Sequence, residues 1–265
     1  MDWLGFAVAG CVVGTAVGAT GVGGGSLMTP ILILFHGISP AVAVGTDLLY
    51  AAISKSFAVT LHGRHGSVDW RLVGRMSLGS VPASLAALML LRSLESIGAL
   101  EQVIKLTLAI AIILTATFTL FQDRLLKLMP RLPQGEEGFI RRHQFGLSVA
   151  CGILIGALVT ISSVGAGVIG MMLLLVLYPQ VPPIRLVGSD LAHAVLITAI
   201  AGIGHASLGT VDYAMLGYLL IGAIPGIWIG TRIAFRLNDK SMKRAISALL
   251  VLIGCTMAAK AVAGL

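Results

Sequence analysis

Two carboxylates stand inside apolar runs, where a charge is expensive. Asp47 follows Val44-Gly45-Thr46, and Asp190 follows Val187-Gly188-Ser189. A carboxylate at the centre of a membrane helix costs about 2.5–3.5 kcal/mol on insertion scales. Either of two roles would justify that cost. The acid takes up and releases a proton, or it caps or hydrogen-bonds backbone freed by a nearby helix break. Lys55 lies eight positions after Asp47, two helical turns along and on roughly the same face. It attracts an anion or pairs with an acid, or it snorkels toward the cytoplasmic end of its helix. His193 lies three after Asp190, again on one face, and reads as a proton relay or as a packed, hydrogen-bonded histidine. His62, His65 and His205 fall near helix ends and read as interfacial. No compact spacing joins these groups into a ligand set, so neither a metal nor a cofactor is expected.

Two glycine-rich interruptions offer a second kind of chemistry. They are Thr20-Gly21-Val22-Gly23-Gly24-Gly25-Ser26 and Ser162-Ser163-Val164-Gly165-Ala166-Gly167. A helix broken at membrane depth frees backbone N–H groups that need partners. The new helix N-terminus carries a partial positive charge and binds anions without a charged side chain. Thr20, Ser26, Ser162 and Ser163 add hydroxyl donors. The alternative is that the glycines only let helices pack, and that reading is preferred for Gly10, Gly14 and Gly18. No strand–helix–strand unit surrounds either break, which argues against a dinucleotide loop. Ser26 lacks a fitting histidine partner for an intramembrane hydrolase.

The elements that must hold these groups are membrane helices. Of the 265 residues, 57% are apolar and only 11% charged, and the mean hydropathy is +0.99. A soluble domain is usually about a quarter charged, so neither a soluble enzyme nor a disordered chain fits. Spans are expected at roughly 40–61, 69–91, 99–121, 183–203, 212–235 and 243–263. The regions 3–35 and 146–178 are too long for one straight helix and read as re-entrant pairs of half-helices. Residues 3–20 read as a retained helix, since Lys55 is the first basic residue and a signal peptide needs basic residues at its start. Cys11, Cys151 and Cys255 lie in apolar runs, an odd count that argues against disulfides. The net charge of +7 sits mostly in loops and helix ends, with no basic stripe, so nucleic acid is not a partner. The partners expected are a small anion and the lipid bilayer; the oligomeric state is left open, a homodimer among the alternatives.

The chain also repeats itself. From Val44 to Pro82, 13 of 39 positions are identical to those 143 residues later. Asp47 meets Asp190, His62 meets His205, Asp69 meets Asp212, and Pro82 meets Pro225. A one-residue shift aligns Gly10, Gly14, Gly23 and Gly25 with Gly152, Gly156, Gly165 and Gly167. Duplication of this kind is common in secondary transporters. The division is a first repeat (1–121), a cytoplasmic linker (122–144) and a second repeat (145–265). Basic residues cluster in the linker and near 232–244, which places both inside. His62–Ser67 and the following turn, with Arg64, Arg71 and Arg75, read as internal, whereas His205–Val211 has no Lys or Arg and reads as external. Matched loops of opposite charge are what an inverted repeat predicts, with both termini outside. The expected fold is an all-α polytopic membrane protein. Each of its two inverted-topology repeats has a glycine-broken pair followed by three transmembrane helices.

The stretches Gly21–Pro30 and Ala43–Leu48 resemble the sulfite exporter TauE/SafE family, also called the toluene sulfonate uptake permeases. Val187-Gly188-Ser189-Asp190 and Gly222–Gly226 fit its duplicated pattern. The resemblance implies a carrier of sulfur-containing anions (sulfite, thiosulfate or organosulfonates) in the bacterial inner membrane. Two departures stand out. Many members have Ser where Asp47 stands, so the acids mark a subgroup, and the second break lacks the triple glycine. The expected substrate site comprises Thr20, Gly23, Gly24, Gly25, Ser26, Thr46, Ser163, Gly165, Gly167 and Ser189. Asp47, Asp190, His193 and Lys55 are the expected proton-coupling groups, and Pro82 and Pro225 the hinges of alternating access. The alternatives are a cation or metal carrier using the intramembrane Asp and His residues, or an intramembrane enzyme.

Overall fold

A computed structural model describes residues 3–20, 25–62, 68–96, 98–128 and 139–234. The span expected at 243–263 lies outside them. The described residues are helical, with no strand among them. In order, the helices are α1 (Trp3–Thr20), α2 (Gly25–His36), α3 (Pro40–His62), α4 (Trp70–Ser96) and α5 (Leu100–Leu128). A single turn α6 (Phe139–Arg142) precedes α7 (Gln144–Ser162), α8 (Val168–Leu177), α9 (Pro183–Ser207) and α10 (Tyr213–Ala234). These bounds follow the apolar runs, because the run length is what a bilayer selects. The exception is α5, which continues through Leu128 into the segment read as a linker.

Four of the described helices are long and apolar enough to cross a bilayer, within α4, α7, α9 and α10. Leu78, Met89, Leu106, Ile203 and Ile221 are 61–75% exposed on the outer surface. Water would not tolerate so many bare aliphatic side chains, and lipid does. The chain is an integral membrane protein.

Each of the two glycine-broken regions is a pair of helices, as expected, but of unequal length. The second is a long helix, α7 of 19 residues, followed by a short one, α8 of 10. Their outer ends meet. Gln144 Nε2, at the start of α7, donates to the Leu177 carbonyl at 2.7 Å, and Ser148 Oγ lies 2.7 Å from Tyr178 Oη. At about 1.5 Å per residue α7 crosses roughly 28 Å while α8 covers roughly 15 Å, so α8 begins about halfway back. In the first region Phe6, near the start of α1, stacks on His36 at the end of α2 with ring centroids 4.8 Å apart. That pair also runs out and back.

Packing interleaves the two halves of the sequence. One core joins α1, α2 and α3 to α10, and the other joins α7, α8 and α9 to α4. Glycines make this close approach. Gly10, Gly14 and Gly18 face the backbone of Leu219, Ala223 and Ile227, while Gly152 and Gly156 face that of Met76 and Ser80. These contacts are mates in the repeat register: 152 − 10 = 142 and 219 − 76 = 143. Without water inside a bilayer, dispersion at such contacts is a main source of helix association.

Polar contacts recur in the same register. The Asp69 amide donates to Ser189 Oγ at 2.8 Å, and the Asp212 amide donates to Thr46 Oγ1 at 3.0 Å. Each aspartate then caps the helix that follows: Asp69 Oδ1 accepts from the Leu72 amide (3.2 Å), Asp212 Oδ1 from the Met215 amide (2.9 Å). Gly45 permits the second contact, because a Cβ there would stand 2.8 Å from Thr210 Oγ1. Pro82 and Pro225 lie inside helices that continue on both sides of them.

Candidate functional site

The second break opens where α7 ends. Ser163 adopts the left-handed conformation (φ 58°, ψ 0°), and its amide closes the last turn on the Val159 carbonyl at 2.7 Å. Gly165 follows with φ 115°, a conformation that β-carbons oppose. Further on, the Gly170 amide returns to the Gly165 carbonyl and the Met171 amide to the Gly167 carbonyl, each at 3.1 Å. Between these anchors the amides of Gly165, Ala166, Gly167, Val168 and Ile169 find no acceptor among the described residues. Gly165, Ala166, Gly167 and Ile169 are buried. The first amides of a helix have no partner within it, and here they lie in a mostly buried stretch.

Asp47 lies beside it, fully buried on α3. Its Oδ2 accepts two hydroxyl hydrogen bonds, from Thr29 Oγ1 at 2.6 Å and from Ser163 Oγ at 2.9 Å. Thr29 belongs to α2 and Ser163 to the end of α7, so one carboxylate ties both broken regions together. Its Oδ1 is buried and has no partner among the described residues.

Around it sit the other groups singled out in the sequence. Lys55 is buried rather than snorkelling, and its charge reaches both Asp190 and Asp47. Asp190 is buried on α9, and its Oδ1 occupies the space above Gly170, 2.5 Å from where a Cβ would stand. His193 is buried, hydrogen-bonds Ser80 Oγ at 2.9 Å, and also feels Lys55. Lys55 is thus the charge that links the other three ionisable residues.

Other expected positions fall differently. Thr46 Oγ1 and Ser189 Oγ are committed to the amides of Asp212 and Asp69, and Ser189 also donates to the Arg185 carbonyl at 2.7 Å. Thr20 ends α1, and Gly25 and Ser26 open α2. Gly23 and Gly24 lie outside the described residues, as does His65. His205 is not interfacial. It is fully buried, with Nε2 2.9 Å from the Thr160 carbonyl and Nδ1 2.9 Å from Thr210 Oγ1. A carbonyl only accepts, so the ring proton is on Nε2, and the Thr210 hydroxyl hydrogen is shared between Nδ1 and the His205 carbonyl oxygen, 3.0 Å away. Replacing His205 by Phe leaves the Thr160 carbonyl unpaired and should cost about 1–3 kcal/mol. Thermal unfolding in detergent measures this, and His205→Gln should recover part of it.

Thr29 and Ser80 escaped the sequence reading. A lone hydroxyl in an apolar helix has no distinguishing pattern, and only the fold brings Thr29 to Asp47. Among the described residues no group of three His, Cys, Asp or Glu is placed to hold a metal ion.

Known proteins resemble this chain over nearly its whole length. The probable membrane transporter protein YjnA of Bacillus subtilis (strain 168) is 34% identical over 249 residues, covering 92% of this chain and 95% of its own. The probable membrane transporter protein YunE of the same organism is 23% identical, covering 97% of each chain. A probable membrane transporter protein of Xylella fastidiosa (strain 9a5c) is 26% identical over 92% of this chain and 89% of its own. No solved structure matches. Residues 6–257 match the sequence profile described as sulfite exporter TauE/SafE. A gathered set of buried charges beside an open run of amides, on helices of bilayer length, thus sits in a membrane transporter that belongs to the TauE/SafE sulfite exporter family.

Proposed function

We propose that the protein carries a small sulfur-containing oxyanion (sulfite, thiosulfate or an organosulfonate) across the bacterial inner membrane by proton-coupled alternating access. One observation supports this reading above the others: the five consecutive amides from Gly165 to Ile169 that lack an acceptor among the described residues, with Gly165, Ala166, Gly167 and Ile169 buried. An oxyanion supplies several acceptors at once, and the N-terminus of α8 adds its partial positive charge. No cationic side chain is needed at that point. Substrate contacts are assigned to Gly165, Gly167 and the Ser163 turn, with Thr20 and Gly23–Ser26 as the first repeat's contribution. Thr46 and Ser189 support the site by fixing the loops behind it.

The two repeats are inverted copies in this proposal. Helix contacts that recur 142–143 residues apart, and the out-and-back course of α1–α2 and of α7–α8, support it. A pseudo-two-fold axis in the membrane plane gives alternating access by rocking one core against the other. Asp47, Lys55, Asp190 and His193 are the coupling cluster.

The test is binding to purified protein in lipid nanodiscs, with sulfite, thiosulfate and methanesulfonate set against divalent cations. The anions should bind saturably and compete with one another. Gly165→Ala forces a side chain into φ 115° and should weaken them by about ten-fold. Divalent-cation binding without anion binding would replace this reading with a cation carrier.

A further inference from the structure

We propose that Asp190 is the selector of the anion site: its carboxylate accepts the hydrogen of a singly protonated oxyanion such as hydrogen sulfite, and turns away anions that bring none. This deepens the anion-carrier reading above and rests on it.

The placement begins with Gly170. It is the third residue of α8, directly after Val168 and Ile169, whose amides find no acceptor among the described residues. A Cβ at Gly170 would stand 2.5 Å from Asp190 Oδ1 and 3.5 Å from its Cγ, with Ile155 Cδ1 next at 3.8 Å. Oδ1 is thus about as near to that point as an aspartate oxygen is to its own Cβ. Asp190, on α9, lays its carboxyl where α8 has no side chain. Cβ positions lean toward the N-terminus of their helix, so this notch belongs to the open first turn.

The carboxyl is also left without donors. Asp190 is 3% exposed, and no hydrogen bond reaches it among the described residues. The repeat shows why. Its mate Asp47 is served by the hydroxyls of Thr29 and Ser163. In the register of the breaks their counterparts are Met171 (171 − 29 = 142) and Gly21 (163 − 21 = 142), and neither has a side-chain donor. Met28 occupies the matching position on α2 (170 − 28 = 142), so the notch belongs to the second repeat. One duplication has produced an acid held by two hydroxyls and an acid held by none.

A ligand seated here meets two kinds of partner. The amides at the start of α8 are donors and call for lone pairs. Asp190 is an acceptor and calls for a hydrogen. A singly protonated oxyanion carries both within one small group: its bare oxygens face the amides, and its O–H donates to Asp190. An anion without a hydrogen turns a lone pair and a negative charge toward the carboxylate, which is costly where neither acceptor reaches water. The site then discriminates by rejecting the wrong anion, and the difference it reads is one hydrogen.

Lys55 of α3 is the charge that reaches Asp190. α3 also carries Asp47, Tyr50 and, at its end, His62. α8 has no titratable side chain, and α7 has Cys151 alone. On α4, Arg71 and Arg75 lie near the start, and Arg92 and Glu95 near the far end. On α9 itself Arg185 lies in the first turn, His193 is engaged by Ser80, and His205 by Thr160.

The experiment is calorimetric binding of hydrogen carbonate and of nitrate to the full chain in nanodiscs at mildly alkaline pH. Both are planar, singly charged oxyanions of similar size, and they differ by the one hydrogen that hydrogen carbonate keeps at that pH. Wild type should bind hydrogen carbonate about ten-fold or more tightly than nitrate. In Asp190→Asn the side-chain amide donates instead, and the ratio should fall to about one or below. Gly170→Ala keeps the acid but pushes Oδ1 from the notch, and should shrink the preference several-fold. Sulfite should bind more tightly in mildly acid solution, as hydrogen sulfite, than in alkaline solution, as the dianion. The wild-type comparisons need no variant to fold. Hydrogen carbonate no tighter than nitrate, whether both bind or neither does, would overturn the inference. So would equal sulfite affinity on both sides of its second ionisation, a preference that survives Asp190→Asn, or one lost in Asp47→Asn instead. Sulfite that binds at no pH would overturn the anion reading itself.

Discussion

Replacing Gly14 or Gly156 with leucine is expected to remove most of the folded protein. A Cβ at Gly14 would stand 2.6 Å from the Ala223 carbonyl oxygen and 2.8 Å from its Cα, and one at Gly156 would stand 2.7 Å from the Ser80 Cα. These obstacles are backbone, which cannot rotate aside as a side chain can. Overpacking ordinarily costs about 1–3 kcal/mol, and a clash with a facing helix belongs at the upper end or beyond. Either the α1–α10 or the α4–α7 contact must open, and each anchors one core to a helix from the other half of the sequence. Gly74, Gly146 and Gly217 provide the control, since a Cβ there meets nothing within 4 Å among the described residues. Alanine at those positions gains helix propensity, worth up to about 1 kcal/mol in an exposed helix, without a collision. Size-exclusion profiles and thermal unfolding in detergent should separate the two sets clearly. Equal behaviour would mean that the glycines are not packing contacts.

Gly74 and Gly217 also show how far sequence reasoning reached. They are mates in the repeat, like Gly79 and Gly222, yet only the latter pair meets a neighbouring backbone. Repetition marks positions inherited together but cannot say which face of a helix finds a partner. Helix bounds were legible because bilayer thickness sets the length of an apolar run, and both interruptions were legible because glycine and serine punctuate such runs. The unequal lengths of α7 and α8 were not, since a break in composition gives no depth. The exchange of α4 and α10 between the two cores was also hidden, being a contact between residues more than a hundred positions apart. At the site, Asp47, Lys55, Asp190 and His193 were found because a charge in an apolar helix is conspicuous. Thr29 and Ser80 were missed because a hydroxyl is cheap enough to occur anywhere. His205 was misread for a related reason: its closeness to a helix end suggested an interface, while Thr160, which its ring meets, comes from another helix that only the fold brings to it.

Removing both hydroxyls from Asp47 should be the most damaging polar change in the protein. Thr29→Val with Ser163→Ala removes both hydroxyl hydrogen bonds of a fully buried carboxyl whose Oδ1 has no side-chain partner among the described residues, and leaves it only the Thr29 backbone amide. Hydrogen bonds to a charged group contribute about 1.5–3 kcal/mol each, so the pair should cost several kcal/mol if Asp47 is ionised. The loss should appear chiefly in the link between the two broken regions, because Thr29 and Ser163 lie on different ones. A double-mutant cycle isolates it. In an Asp47→Leu background, the same two substitutions should cost well under half as much, as no carboxyl remains to be stranded. The sign of the pH effect adds a second check. Protonation relieves a bare carboxylate, so the Thr29→Val/Ser163→Ala variant should regain stability as pH falls, and wild type should regain less. Urea or thermal unfolding in a mild detergent across that range measures both. A variant that is no less stable than wild type at neutral pH, or equally penalised with Leu at position 47, would show that the two hydroxyls do not hold the acid, and that α2 and the end of α7 are joined by apolar packing alone.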